Sequence, residues 1–190
     1  AQDKNSKSGL KKFDKSLWAH VGFMISNQVR ALFLGLTNAY LVRVPHSGVM
    51  RRYYQIATRF STLLALVADF TMVSVGAALK RKESLSGRLA DMVSVLYMVT
   101  CVLKYYEDVS EHAEDEDDLN LTKWVCLDLF KLFERQLHEL LMNLPNRWLA
   151  RYLRILCFPL GRFLNAPTDA LVQRISVSVM KPSRFRDRFK

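Results

Sequence analysis

The residues with the clearest chemical pattern lie near the C-terminal end. Arg147, Arg151 and Arg154, with Arg162 beyond them, alternate with aromatic and aliphatic residues. At helical spacing Arg147, Arg151 and Arg154 share one face, while Trp148, Tyr152, Ile155 and Leu156 cluster on the other side. Guanidinium groups on one side and large apolar groups on the other fit a helix lying on an anionic membrane surface. An amphipathic helix docking on a bundle would show the same spacing. No recognisable DNA- or RNA-binding motif accompanies the charge, so a nucleic-acid partner is not expected.

Elsewhere the sequence offers little chemistry. Neither GxGxxG nor a GxxxxGK phosphate loop occurs, and no serine stands in a GxSxG elbow. His20, His46, His112 and His138 are too scattered for a metal site of ordinary spacing. Glu134 and His138 form an i, i+4 pair, a spacing typical of surface contacts. Acid–base catalysis would need a further group and a pocket. Cys101, Cys126 and Cys157 lie far apart among apolar neighbours, without a CxxC. They read as small buried hydrophobes in a reducing compartment. No catalytic residue and no metal ligand is assigned.

The elements that carry these residues read as helices. Half of the 190 residues are apolar, with only 7 Gly and 5 Pro, which suits long helices better than turn-rich strands. Residues 1–13 read as a flexible, basic N-terminal segment, 14–180 as a single helical domain and 181–190 as a basic tail. Helices are expected from Asp14 to about Thr37, Met50 to Lys80, Ser84 to Glu107, and about Asn120 to Met142. Two shorter ones should follow, Arg147 to Phe158 and Thr168 to Met180. The fold class is therefore all-α: an antiparallel bundle of about four long helices with two shorter C-terminal helices. Ser74, Gly76, Ala77 and Ala78 are expected to pack closely on Gly87, Ala90 and Ser94. The net charge of +10 is uneven, with basic ends around an acidic cluster from Glu107 to Asp118 that reads as a solvated loop.

Leu63 to Leu79 is apolar enough to raise the question of a membrane span. The run is short of the roughly 20 residues a span needs. Asp69 sits in its middle, where a lone carboxylate at the bilayer centre costs on the order of 3 kcal/mol. A buried bundle helix is the better reading, with Asp69 buried and paired, and His20 as the candidate partner from the first helix.

Several strings carry a family resemblance. They include His20-Val21-Gly22-Phe23, Ser26-Asn27-Gln28-Val29-Arg30, Leu34-Gly35-Leu36-Thr37 and Arg51-Arg52-Tyr53-Tyr54. Leu79 to Glu83, Leu85 to Asp91 and Leu103 to Asp108 continue it. Asn143 to Arg147, Phe158 to Arg162 and Ala166 to Asp169 close it. In this order the chain resembles the C-terminal helical part of FadE-type bacterial acyl-CoA dehydrogenases, from Phe13 to Lys181.

That resemblance implies an FAD-dependent, membrane-associated enzyme that oxidises acyl-CoA to trans-2-enoyl-CoA in fatty-acid β-oxidation. It implies that the flavin domain and catalytic glutamate precede this segment, so that FAD is bound mainly outside it. Long-chain acyl-CoA would be met through the parent enzyme, at the cytoplasmic face of the bacterial inner membrane. Homo-oligomerisation or membrane docking through Arg147, Trp148, Arg151 and Arg154 are the roles left for this part. The family's Tyr-Glu-Gly-Thr loop is matched by Tyr106-Glu107-Asp108-Val109 in its first two letters alone. Glu107 also opens an acidic run, whose field would oppose anionic CoA. The catalytic role is not carried over to it. The alternative is a free-standing helical adaptor at an anionic membrane surface. The absent initiator Met is compatible with a fragment of a longer protein.

Overall fold

A computed structural model describes residues 2–44, 48–110, 116–162 and 164–180. Among these every regular element is helical: α1 (Gln2–Leu36), α2 (Arg51–Val75), α3 (Glu83–Ser110), α4 (Glu116–Asn143), α5 (Arg147–Cys157) and α6 (Asp169–Met180). A 3-10 segment, Gly76–Arg81, joins α2 to α3. The basic tail 181–190 and the middle of the acidic loop, 111–115, lie outside the described residues, as do His46 and His112.

The long helices form an antiparallel bundle with α3 packed most extensively on α4. α2 is the central element. Its Ile56, Phe60, Leu63, Leu66 and Val67 are buried together with Met92, Val95, Val99 and Leu103 of α3 and Phe130, Phe133, Leu137 and Leu140 of α4. Phe60 stacks on Phe133 at 4.4 Å between ring centroids and meets Phe130 edge-on at 5.5 Å. Full burial of each such side chain is worth about 1.5–3 kcal/mol. Tyr54 Oη donates to Glu107 Oε1 at 2.7 Å, tying the start of α2 to the end of α3. Arg88 and Glu139 pair at 3.3 Å across the start of α3 and the end of α4.

Three sequence expectations change. The first helix begins at Gln2, not near Asp14. Residues 2–12 contain no Pro and a single Gly, so a helix nucleated downstream propagates through them. Residues 107–110 and 116–118 are helical rather than loop. α3 runs on to Ser110, and Glu116, Asp117 and Asp118 form the first turn of α4, where carboxylates complement the helix dipole. Finally, the small-residue stripe does not meet its counterpart. Gly76 takes φ 54° and starts the 3-10 segment, which turns Ala77 and Ala78 off the register of α2. A Cβ added at Gly76 or Gly87 would meet nothing within 4 Å.

The close approach occurs elsewhere. A Cβ on Gly35 of α1 would lie 2.6 Å from Cγ of Pro159. Glycine therefore lets the end of α1 sit against the segment after α5. α2 with its 3-10 extension, and α3, are each long and apolar enough to cross a membrane by length and composition. Yet the core face of α2 also buries Gln55, Arg59, Thr62 and Thr71. Gln55 and Arg59 donate to acceptors inside the bundle.

Candidate functional site

α5 starts where Asn146 caps it. The Asn146 side chain accepts from the backbone N–H of Trp148 at 3.0 Å and of Leu149 at 3.1 Å. Such a cap satisfies amides that would otherwise lack acceptors. Ala150, Leu153, Leu156 and Cys157 fix the helix to the core. Leu156 therefore does not belong to the outward apolar cluster expected from the spacing. Tyr152 is also engaged: its hydroxyl donates to Gln28 Oε1 of α1, and its ring meets Phe70 of α2. Only Trp148, 78% exposed, and Ile155, 65% exposed, remain as large free apolar groups on this helix.

The arginine stripe does assemble. Arg147, Arg151 and Arg154 line a cavity of about 260 Å³ with His138, Leu141, Met142 and Ala150, between the end of α4 and α5. Arg147 Nη1 donates to the carbonyl of Met142 at 3.1 Å, at the end of α4. Arg151 lies 5.4 Å from the Trp148 ring centroid, a cation–π distance. Among the described residues no carboxylate pairs with Arg147, Arg151, Arg154 or Arg162. His138 is held below its usual pKa, first by burial and then by Arg162 and Arg154; Glu139 and Glu134 oppose the shift. The site is a positive, partly desolvated concavity with an aliphatic floor.

A second set of cations is handled differently. Arg52, Gln55 and Arg59 form a stripe on α2. Arg52 donates to the carbonyl of Asn38 at 2.7 Å, and Gln55 to the carbonyls of Tyr40 and Val42 at 3.0 and 3.1 Å. Arg59, 2% exposed, donates to Asn38 Oδ1 at 2.9 Å and to the carbonyl of Cys157 at 3.1 Å. Asn38 and Ala39 have positive φ values of 47° and 58°. For Ala39 this costs roughly 1–2 kcal/mol, and the α2 donors hold the turn there. The Arg59 pKa is lowered to about 10, mainly by burial with a contribution from Arg52, while Cys157 and Glu134 oppose the shift. Arg59 thus stays charged at neutral pH and binds the C-terminal end of α5, where helix carbonyls lack partners. The i, i+3, i+7 spacing of Arg52, Gln55 and Arg59 was the available sequence signal.

The whole chain, residues 1–190, matches the family model for the bacterial-type C-terminal region of acyl-CoA dehydrogenase. The chain belongs to that family. It is also similar to the crystal structure of an acyl-CoA dehydrogenase complexed with FAD from Bacillus anthracis. The two share 16% identity and a TM-score of 0.63, over 90% of this chain and 29% of that one. The likeness is one of fold, and the chain spans less than a third of that protein's length.

In this acyl-CoA dehydrogenase C-terminal domain the remaining candidates fall apart. His20 is exposed, not buried, and Asp69 is only half-buried. Asp69 Oδ2 is enclosed without a hydrogen-bond partner, and the expected bond to His20 is not made. His20 stands on the side of α1 that carries buried Asn27, Ala31 and Leu34, but it is exposed there. Glu134 is buried and turns to Lys131 at 3.0 Å rather than to His138. Lys131 also donates to the carbonyl of Leu164 at 2.8 Å, fastening the segment after α5. Glu107 serves Tyr54, as described. Cys126 and Cys157 are buried, with thiols pushed up to about 12 by burial, whereas Cys101 is exposed. Among the described residues no three His, Cys, Asp or Glu side chains gather to hold a metal.

Proposed function

We propose that this domain is a non-catalytic docking module of an FAD-dependent acyl-CoA dehydrogenase. The enzyme would oxidise acyl-CoA to trans-2-enoyl-CoA in fatty-acid β-oxidation, at the cytoplasmic face of the bacterial inner membrane. The observation that carries the reading is the arginine stripe of α5, which pairs with no carboxylate among the described residues and is set beside exposed Trp148 and Ile155. Each cation near an anionic leaflet contributes about 1 kcal/mol, screened by salt, and inserted Trp148 adds an apolar contribution that salt does not screen. A long-chain acyl-CoA partitions to membranes, so docking brings the enzyme to its substrate.

The positive cavity of this domain does not fit FAD. The positive cavity of about 260 Å³ is smaller than an ordinary small-ligand pocket, about 300–1,000 Å³, and no glycine-rich phosphate loop accompanies it. In this reading the flavin and the catalytic base belong to the upstream dehydrogenase domain, and the isolated segment is expected to turn over no acyl-CoA. α1 supports a further role in assembly. Its Trp18, Phe23, Ile25, Val29, Phe33 and Leu36 are exposed, a surface for that upstream domain or for a second copy in a homo-oligomer. Family membership favours this reading over a free-standing adaptor.

Vesicle sedimentation of the full-length enzyme tests the proposal. Wild type should pellet with anionic but not zwitterionic vesicles. R147Q/R151Q/R154Q should stay in the supernatant while folded by circular dichroism. Equal pelleting of the two proteins would overturn it.

A further inference from the structure

The arginine cavity is more specific than a docking face requires. A flat basic surface suffices for attraction to an anionic leaflet. Here the cations instead line a concavity. Arg147, Arg151 and Arg154 border the same space of about 260 Å³, and His138 closes it from α4. Arg162 is near enough to depress the His138 pKa. Like charges gathered this closely repel one another, and a protein normally offsets them with carboxylates. Among the described residues none is placed to do so. Glu139, the acidic neighbour of His138, is itself engaged by Arg88.

We infer that the cavity between α4 and α5 binds a phosphate monoester, held by Arg151 and Arg154 with Arg147 at its rim. This builds on the docking face proposed above, but it needs no bilayer. Guanidinium forks match the oxygens of a phosphate group bidentately, and a dianion offsets more than one of the gathered charges. Carboxylates carry half that charge and serve the cluster less well. The volume admits a phosphorylated head and excludes a complete large ligand. Leu141, Met142 and Ala150 give an apolar wall on which the carbon next to the phosphate can rest. Such a monoester comes from two sources. One is the head of a phosphatidic-acid-like lipid, the other a soluble phosphorylated metabolite.

His138 supplies a local reporter. It faces Arg154 of α5 and Arg162 beyond that helix, with Glu134 and Glu139 on its own helix. Arg147 and Arg151 share the cavity with it. A bound anion favours the imidazolium, so the His138 titration should move up when the cavity fills.

The experiment titrates the full-length enzyme with inorganic pyrophosphate by calorimetry, following the His138 ring resonances in parallel. Expected are saturable binding, an upward His138 titration, and affinity reduced about 10-fold or more in R151Q/R154Q. R151K/R154K keeps the charge but loses the forks, and should fall between the two. A second arm compares phosphatidic acid with phosphatidylglycerol vesicles at matched surface charge. Preference for phosphatidic acid, competed by pyrophosphate, places the source in the lipid. Pyrophosphate binding without that preference places it in solution. Absence of saturable binding, or binding unchanged in both variants, overturns the inference. Vesicle binding that ignores pyrophosphate would leave the docking reading standing and sink the pocket alone. Pyrophosphate binding with no vesicle binding would do the reverse.

Discussion

Two helices of this domain carry a donor stripe at almost the same spacing, and the fold uses them in opposite ways. On α2, Arg52, Gln55 and Arg59 stand at i, i+3, i+7; on α5, Arg147, Arg151 and Arg154 stand at i, i+4, i+7. Each of the three α2 side chains donates to acceptors within the chain, in the turn after α1 and at the end of α5. The α5 arginines border an open cavity, and among the described residues no carboxylate pairs with them. One stripe spends its hydrogen bonds on structure. The other makes a hydrogen bond within the chain from Arg147 to the carbonyl of Met142, and in the proposed reading offers its remaining donors to an anion. A helical stripe of cations is therefore not by itself a functional signal, because the neighbours decide what it does.

The sharpest way to break this comparison is Arg59→Met. It removes the donor while nearly filling the space, and leaves Asn38 Oδ1 and the Cys157 carbonyl unsatisfied. Two buried acceptors without partners should cost about 3 kcal/mol, read as a lower urea midpoint. Cys157, inert in the native protein because it is buried, should become open to thiol reagents in this variant, while exposed Cys101 reacts in both. An unchanged midpoint would mean that the junction does not anchor α5.

Gly35→Val probes the same junction from the side of sterics. The added Cβ meets the Pro159 ring at 2.6 and 2.8 Å, so α1 and the segment after α5 must part. Overpacking of this kind costs about 1–3 kcal/mol. A smaller loss would show that Pro159 gives way freely.

The arginines of α5 should behave in the contrary manner. R147Q/R151Q/R154Q should change unfolding stability by about 0.5 kcal/mol or less, because exposed side chains with only surface contacts contribute little. Vesicle binding should nevertheless be lost. A large stability loss would place these arginines with the α2 stripe and end the distinction.

The smallest effect concerns His138. Its folded pKa lies below the ordinary 6.5, so the unfolded chain takes up the proton first as pH falls. Stability from this group is complete above pH 6.5 and declines as pH drops through the lowered folded value. His138→Gln should remove that slope. Removing Arg154 and Arg162, the cationic causes of the shift, should shrink it. A slope that persists in His138→Gln belongs to another group.

The helices were legible in the sequence because their apolar residues recur at helical spacing and Pro and Gly mark their ends. α5 was placed to within a residue by Asn146 and Pro159, one a cap and the other a break. The start of α1 was misplaced because polar residues carry no periodicity, although they can still propagate a helix. The stripe on Arg147, Arg151 and Arg154 was visible too, but its cavity was not. His138 and Leu141 reach it from another helix, and no spacing along α5 encodes them. The buried pairing of Asp69 with His20 failed for a related reason. His20 stands seven residues before buried Asn27, in register with the packed side of α1, yet it is exposed, and spacing along α1 does not encode where the packing ends.

Composition and periodicity alone determined an all-helical bundle, its approximate breaks and the order of charged segments along it. These follow from local backbone preference and from the need of each helix to bury one side. Which cation is structural and which is free was settled only by tertiary contact. Arg59 and Arg151 are the same residue type on helices of similar pattern. One faces carbonyl oxygens brought to it from positions 38 and 157, the other faces solvent and further arginines. A charge takes its role from the groups that surround it in space, and those come from distant parts of the chain.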